Sequence, residues 1–221
     1  MLSKNALIAD TVKGAMPEAR RTLDVGYAQH PNTELPGERY GVDIVELNPA
    51  PQGYAKLYKL DLNTDPLPFT DGFFDVVAMG CTLAHVTKPV ALMIEIHRVL
   101  RLGGVLVLSS PNPQYYWEWA LNAWFHFFKK RVVKAKFEEH FYSFSRYNMR
   151  TIASRTGFTV EREIGCSFQL VKTKLKFNPI RFPGFAYEII YVLRKTGEPQ
   201  AYTTFESPSE GIVKVSTTLT T

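Results

Sequence analysis

Three aspartates stand where apolar segments of the sequence end. Asp24 lies in "RTLDVG", Asp43 in "RYGVDIVE" and Asp61 in "AKLYKLDL". In a parallel sheet the carboxyl ends of the strands share one edge, and ligands bind there, so we expect these side chains to face one crevice. Three carboxylates would repel a pyrophosphate. They suit a ligand that carries an amino group, ribose hydroxyls and an adenine amine.

The turn after Asp24 has the first glycine of a nucleotide-binding loop and lacks the others. A phosphate-cradling loop reads G-x-G-x-x-G, whereas here Gly26 is followed by "YAQHPN". The missing glycines disfavour a nicotinamide dehydrogenase. The longer segment "YAQHPNTELPGERYG" carries two prolines and no helical period. The first crossover helix is therefore expected to be short or absent.

Strands and helices alternate along the chain. Strands are predicted over 21–26, 39–46, 55–62, 73–81, 105–112, 159–170 and 186–195, and helices over 3–16, over 88–104 and over 145–157. Ser3 and Ser145 are predicted N-caps, and Gly103 with Gly104 is the predicted end of the middle helix. This order predicts an α/β fold with a Rossmann-like, doubly wound, mostly parallel seven-stranded sheet.

Composition indicates one globular domain in a reducing compartment. With 221 residues, 45% of them hydrophobic, we expect a single domain over 1–196 and a Ser/Thr-rich tail over 197–221 that is partly unfolded. Cys81 and Cys166 have no paired spacing, so neither a disulfide nor a metal site is expected. No apolar run reaches the roughly 20 residues of a membrane span, and the N-terminal segment "MLSKNALIAD" lacks the apolar core expected of a signal peptide. The expected location is cytoplasmic.

An aromatic segment followed by a basic one forms a predicted insert at about 115–142. Apolar side chains recur there at helical spacing, at Trp117, Leu121, Trp124, Phe128 and Val132. Between 129 and 176, twelve Lys/Arg against four Glu give +8, while the whole chain carries +5. Aromatics beside a basic run suit an amphipathic acceptor at an anionic membrane surface. A lid helix packed on its own domain, or a solvated basic face, is the alternative.

Several segments resemble class I S-adenosylmethionine-dependent methyltransferases, in the order found in that family. They are "LDVG", "GVDI", "LDL", "LPFTDGFFDVVAMGCTLAHV", "EIHRVLRLGGVLVLSSPN" and "FSRYNMRTIASRTGF". The resemblance is closest to the small-molecule branch often called methyltransferase type 11, and it spans about 21–163. It implies S-adenosylmethionine as cofactor and methyl transfer to a small-molecule or a lipid- or sugar-linked acceptor.

The resemblance implies which residues meet the methionine end of the cofactor. Asp24 and Gly26 correspond to the family's glycine loop, and Gly80 and Cys81 to the turn that meets the methionine amino group. Tyr27 departs from the usual glycine-rich pattern, and we expect its ring to cover this end. A sulfonium cofactor has no phosphates to cradle, so the loss of the later glycines is tolerable.

The resemblance also implies an adenosine end. Asp43 corresponds to the acceptor of the ribose hydroxyls, Ile44 to the residue that packs on adenine, and Asp61 with Leu62 to the pair that reads the adenine edge. Purely structural roles are the alternative, with Asp24 in a capped turn and Asp61 as an exposed loop acid.

Three residues are candidates for removing a proton from the acceptor: His85, His140 and Tyr142. His85 follows the fourth strand, near the expected position of the methyl group, and a structural hydrogen bond is the equal alternative. His97 is expected to be a surface or packing residue. Glu95 and Arg98 are expected to form a structural pair on the same helix.

Two other functions stay open at this point. A non-catalytic module of the same fold would explain the eroded glycine loop, although the retained Asp43, Asp61 and "GC" turn argue against it. A nucleic-acid substrate is disfavoured, because "GCTLAH" stands where an N/D-P-P-Y turn would follow the fourth strand. The sequence leaves the oligomeric state open.

Overall fold

A seven-stranded sheet forms the centre of the protein. The computed structural model describes residues 3–115, 140–166, 168–169, 176–177, 179 and 182–200. The sheet strands are β1 (Arg21–Val25), β2 (Glu38–Asp43), β3 (Lys56–Lys59), β4 (Phe74–Met79), β5 (Leu100–Pro111), β6 (Phe158–Cys166) and β9 (Glu188–Lys195). Their order is β3-β2-β1-β4-β5-β9-β6. Strands β1 to β5 pair in parallel, and β9 runs antiparallel between β5 and β6. The predicted fold class is confirmed.

A short ribbon of β7 (Phe168–Gln169) and β8 (Lys176–Phe177) lies outside this sheet. Three α-helices cover the sheet within the described part of the chain: α1 (Lys4–Ala15), α2 (Pro89–Val99) and α3 (Arg146–Arg155). Most of the predicted insert, residues 116–139, and the end of the tail, 201–221, lie outside the described residues.

Both faces of the central strands are buried, as the uninterrupted apolar run of β4 predicts. On one face Val77 of β4 shares a hydrophobic cluster with Met93 of α2 and Met149 of α3. On the other face Val76 packs in a second cluster with Ile8 of α1 and with Leu35. The two clusters hold the strands rigidly, so that the residues at their carboxyl ends keep fixed positions.

Helix α1 begins at its predicted cap. The Ser3 hydroxyl accepts a hydrogen bond from the Ala6 amide at 3.1 Å, which satisfies one of the free amides of the first turn. The helix packs against β4, β5 and β9, with Leu7, Ile8 and Val12 buried. Its first turn is thereby placed over the carboxyl edge of the sheet.

The predicted absence of a first crossover helix is confirmed. Residues 26–37, all of them described, form turns between β1 and β2 and contain no helix. Leu35 is 1% exposed and supplies apolar cover for the sheet in this segment. The Thr22 hydroxyl of β1 donates to the Pro36 carbonyl at 2.7 Å, which ties the end of the segment back to the sheet.

Helix α2 ends earlier than its sequence predicts. It was expected to reach Gly103 and Gly104, but it stops at Val99, and Leu100 already pairs with Phe74 in the sheet. The pairing register then shifts before Val105. Gly103 has a φ of +74°, and a Cβ on Gly104 would lie 2.8 Å from the Arg101 carbonyl. The glycines therefore serve this irregular crossing into β5 and not a helix end.

The two most specific family segments are clamped to each other. Arg98 of α2 donates to the Leu67 and Phe69 carbonyls at 3.0 and 2.7 Å, and Glu95 accepts from the Leu67 amide at 2.8 Å. Glu95 and Arg98 also pair with each other at 2.6 Å, which confirms their predicted structural role. The clamp fixes the loop between β3 and β4.

Helix α3 begins at the predicted Ser145, whose hydroxyl accepts from the Asn148 amide at 3.2 Å. It ends before Gly157, which has a φ of +82°, and a Cβ there would lie 2.5 Å from the Gly197 carbonyl. His97 lies 3% exposed beside it, with Nε2 2.7 Å from the same carbonyl. His97 is thus a packing residue. The start of the tail is attached here, since the Gln200 amide donates to the Arg155 carbonyl at 2.8 Å.

Candidate cofactor site

A cavity of about 500 Å³ opens at the carboxyl ends of β1, β2 and β4. Its volume is within the range of small-molecule sites. It is lined by eight of the nine residues that the sequence assigned to a cofactor: Asp24, Gly26, Asp43, Ile44, Asp61, Leu62, Gly80 and Cys81. The parallel pairing of the strands brings these residues together although they are far apart in the chain.

Gly26 makes the turn at the end of β1. Its φ of +77° suits glycine, and a Cβ would lie 2.1 Å from the Thr82 hydroxyl oxygen. Thr82 belongs to the 3-10 helix Cys81–Ala84 that follows β4, and its hydroxyl donates to the Val25 carbonyl at 3.1 Å. Two walls of the cavity thus touch directly, which no larger residue at position 26 would permit.

Asp24 is buried below the cavity with two hydrogen-bond donors. Its Oδ2 accepts from the Tyr54 hydroxyl at 2.5 Å and from the Asn32 amide at 3.1 Å. Burial raises the pKa of Asp24 to about 6, although both hydrogen bonds act in the opposite direction. Tyr54 comes from the loop before β3. This contact was not predicted, because no local pattern in the sequence links a tyrosine to an aspartate 30 residues earlier.

Asp43 organises the turn that replaces the crossover helix. Its Oδ2 accepts from the Ala28 amide and its Oδ1 from the Val45 amide, each at 2.9 Å. A carboxylate oxygen has two acceptor positions, so each oxygen can accept a further bond from a ligand. The same side chain can therefore hold the loop and receive ribose hydroxyls.

The end of the cavity near β3 combines apolar and polar groups. Ile44 is 58% exposed, an unusual state for an isoleucine beside a cavity, and Leu62 also lines the wall. Asp61 Oδ1 accepts from the amide and the side-chain nitrogen of Asn63, each at 2.9 Å. Asp61 is thus part of a capped turn, and it still lines the cavity.

Tyr27 is the predicted cofactor residue that does not line the cavity. Its side chain is 2% exposed, and its ring lies 5.7 Å from the ring of Tyr54. A Cβ on Gly41 of β2 would lie 2.9 Å from this ring. The ring was expected to cover the methionine end of the cofactor, but in the structure it packs away from the cavity. The ring packs on β2 because that strand has no crossover helix to exclude water from it.

The three candidate proton acceptors gather beside the 3-10 helix. His85 lines the cavity, and its ring centroid lies 4.4 Å from that of His140. The amides of Phe141 and Tyr142 donate to the Ala84 carbonyl at 2.8 and 3.2 Å, which places the segment there. The Tyr142 hydroxyl donates to the Thr87 carbonyl at 3.1 Å and is not among the lining groups. Catalytic roles for these residues stay predictions.

Helix α1 supplies a wall that the sequence analysis did not foresee. Lys4, Asn5 and Ile8 line the cavity. The Asn5 side chain donates to the His30 carbonyl at 2.9 Å, and the Asn32 side chain donates to the Asn5 carbonyl at 3.0 Å. These bonds fix the helix to the loop after β1. An amphipathic N-terminal helix carries no signal of this contact in its own sequence.

Cys81 lies in a small polar cluster below this wall. Its Sγ lies 3.4 Å from Glu188 Oε1, 3.6 Å from the Ser109 hydroxyl and 3.6 Å from Lys4 Nζ. Burial, followed by the charge of Glu188, raises the pKa of Cys81 to about 11. The thiol is therefore protonated at neutral pH, which makes it a poor nucleophile.

The described part of the chain holds neither a metal-binding cluster nor a membrane-spanning helix. No group of three or more His, Cys, Asp or Glu side chains in it is arranged to hold a metal ion. None of its helices is both long enough and apolar enough to cross a membrane.

The sequence of the core matches a known family. Residues 23–108 match the family described as the methyltransferase domain, and this range contains every cavity residue named above on β1 to β4. The matched segment is that of a methyltransferase domain, consistent with the resemblance to class I S-adenosylmethionine-dependent methyltransferases. Helix α1 and strand β9 lie outside the matched residues. The cavity wall formed by Lys4 and Asn5 of α1 is therefore not part of the family match.

Solved methyltransferases share the fold at low sequence identity. A methyltransferase of Thermotoga maritima, described as a possible histamine N-methyltransferase, is 19% identical, with a TM-score of 0.62 over 86% of this chain and 87% of that chain. An Archaeoglobus fulgidus methyltransferase is 17% identical, with a TM-score of 0.59 over 87% and 95%. The Burkholderia thailandensis 1,6-didemethyltoxoflavin-N1-methyltransferase, solved with S-adenosylhomocysteine, is 16% identical, with a TM-score of 0.58 over 87% and 78%.

A curated relative matches a short segment. The tRNA U34 carboxymethyltransferase of Desulforapulum autotrophicum is 38% identical over 58 residues. The match covers 26% of this chain and 18% of that protein.

Proposed function

We propose that this methyltransferase binds S-adenosylmethionine in the cavity at the carboxyl ends of β1, β2 and β4, and that it methylates a small-molecule or a lipid- or sugar-linked acceptor. The observation that carries the proposal is the convergence of Asp24, Asp43 and Asp61 on one cavity. The cofactor bears a sulfonium, an ammonium and two ribose hydroxyls, which three carboxylates can attract or bind. The same carboxylates would repel a nucleotide phosphate.

The shape of the cavity fits the cofactor as well as its charge does. Around Gly80 there is open space, with nothing within 4 Å of the position that a Cβ would take, so a ligand can approach the backbone there. Ile44 and Leu62 offer apolar surface for an adenine ring at the other end. Asp43 has unused acceptor positions for ribose hydroxyls.

When bound, S-adenosylmethionine supplies a methyl group on a positively charged sulfur, and the leaving group needs no proton. The chain has to align the acceptor and exclude water, which accounts for most of the acceleration in such a displacement. An acceptor oxygen or nitrogen that carries a proton needs a base within reach. His85, which lines the cavity beside His140, is the side chain best placed for that role.

A small acceptor is supported by the relatives and by the sequence. The Burkholderia enzyme acts on 1,6-didemethyltoxoflavin, as its name states, whereas the tRNA-modifying relative matches over 58 residues alone. The predicted acceptor insert and its proposed contact with an anionic membrane fall mainly on residues outside the described part of the chain. That contact stays a prediction, and so do the single domain over 1–196 and the catalytic residues.

A non-catalytic module of the same fold is less well supported. The hydrogen bonds of Asp24 would fit a purely structural role, but such a role would not account for the open backbone at Gly80. Binding of the cofactor decides between these functions.

Calorimetric titration with S-adenosylmethionine tests the proposal. We expect the wild type to bind, and Asp43→Ala to lose about 2 kcal/mol, or roughly 30-fold in affinity, because the ribose hydroxyls lose a charged acceptor. Asp10→Ala removes an exposed aspartate of α1 and is expected to bind like the wild type. Thermal unfolding checks that Asp43→Ala is folded. The proposal would be contradicted if the wild type did not bind S-adenosylmethionine, or if Asp43→Ala bound it as tightly as Asp10→Ala.

A further inference from the structure

Lys4 has a distinct position among the residues that line the cavity. It is the only lysine or arginine among the described lining residues, which include three aspartates. Its side chain is 35% exposed, so the ammonium reaches the cavity without being fully solvated. A single cation in an acidic cavity indicates that the ligand carries an anionic group at this end.

The position of Lys4 within the cavity is fixed from two sides. The main chain of α1 is tied to the loop after β1 through the Asn5 and Asn32 side chains. The ammonium lies 3.6 Å from Cys81 Sγ and 3.5 Å from Glu188 Oε1. Cys81 directly follows Gly80, in the turn that the family resemblance assigns to the methionine amino group.

Lys4 remains charged and retains capacity to bind. Burial alone would lower the pKa of Lys4, but the neighbouring Cys81 and Glu188 raise it above its ordinary value. A charge-assisted hydrogen bond has a length of about 2.7–2.9 Å, and both contacts of the ammonium are longer. Lys4 has three donors, so a ligand carboxylate can be bound while Glu188 stays close by.

We propose that Lys4 binds the α-carboxylate of the methionine moiety of S-adenosylmethionine. The carboxylate and the amino group share one carbon atom, so a residue beside the amino site is also beside the carboxylate. The charges are complementary, with the cofactor's anion facing the cavity's lysine and its ammonium facing Asp24. The inference rests on the proposed cofactor site, and it places a binding residue on α1, outside the 23–108 family match.

Decarboxylated S-adenosylmethionine provides the test, since it keeps the adenosine, sulfonium and amino groups and lacks the carboxylate. Both ligands are titrated calorimetrically into wild type, Lys4→Gln and Lys13→Gln. Lys13 is an exposed lysine of the same helix, outside the cavity, and serves as the matched control. We expect wild type and Lys13→Gln to prefer the carboxylated ligand by about tenfold or more. In Lys4→Gln this preference should fall to about one.

The outcomes separate the inference from the proposed function. A wild type that binds both ligands equally overturns the role of Lys4 and leaves the cofactor site standing. The same conclusion follows if Lys4→Gln weakens both ligands by the same factor. A wild type that binds neither ligand refutes the cofactor site, and the inference fails with it. Thermal unfolding checks that Lys4→Gln is folded.

Discussion

Replacing Asp24 by asparagine should change how the stability of the protein depends on pH. Asp24 is 6% exposed, and burial raises its pKa from 3.8 to about 6. The folded state therefore binds a proton more tightly than the unfolded state. The contribution of the Asp24 carboxyl to the free energy of unfolding is therefore fully present at pH values below its pKa in the unfolded state. It is lost as the pH rises through its pKa in the folded state. The Asp24→Asn side chain imitates the protonated form and can still accept the bonds from Tyr54 and Asn32.

The magnitude follows from the size of the shift. About two pKa units correspond to about 3 kcal/mol of destabilisation in the wild type once the carboxyl is ionised. The free energy of unfolding of Asp24→Asn minus that of the wild type should therefore increase with pH. The pH-dependent part of this difference is about 1 kcal/mol at about pH 4.5 and about 3 kcal/mol at about pH 7.5, and the substitution itself adds a part that does not vary with pH. Other ionisable groups are common to both proteins and cancel in the difference.

Urea unfolding followed by far-UV circular dichroism, at several pH values between these limits, measures the difference. Asp10→Asn, at an exposed site of α1, is the control for simple removal of a charge. A difference between Asp24→Asn and wild type that stays constant with pH would refute the reasoning. If the proposed function holds, a cofactor ammonium favours the ionised carboxyl, so affinity for S-adenosylmethionine should fall in the wild type as pH drops below about 6.

Two further predictions concern the loop after β1. Gly26→Ala should lower the free energy of unfolding by about 2 kcal/mol or more, because φ is +77° and the new Cβ would meet the Thr82 hydroxyl. Gly14→Ala, in open surroundings within α1, should leave stability equal or higher in the same urea titration. Tyr27→Ala should lower the free energy of unfolding by about 3–5 kcal/mol, since it removes a buried ring that packs on β2. The control Tyr147→Ala, at a site that is 77% exposed, should change the free energy of unfolding by about 0.5 kcal/mol or less. An equally small loss for Tyr27→Ala would show that the Tyr27 ring is not part of the core.

Local sequence determined the elements that build the cofactor cavity. The apolar runs of β1, β4 and β5 and the shorter, mixed segments of β2 and β3 come in an order with helices that occurs only in a small set of parallel folds. Because parallel strands present their carboxyl ends on one edge, the positions of Asp24, Asp43, Asp61 and Gly80 in the sequence were enough to predict a shared crevice. The absent crossover helix was also visible, in two prolines and a missing helical period.

Tertiary contacts decided what these residues touch. Lys4 meets Glu188 across 184 residues and Tyr54 meets Asp24 across 30, distances over which periodicity carries no information. The end of α2 at Val99 was set by the pairing of Leu100 with Phe74, which prevails over the local glycine signal. Tyr27 turned towards the sheet because β2 lacked a helix to cover it. The sequence thus determined which chemical groups stand at the strand ends, and packing across the whole chain decided which of them face the cavity and what charges surround them.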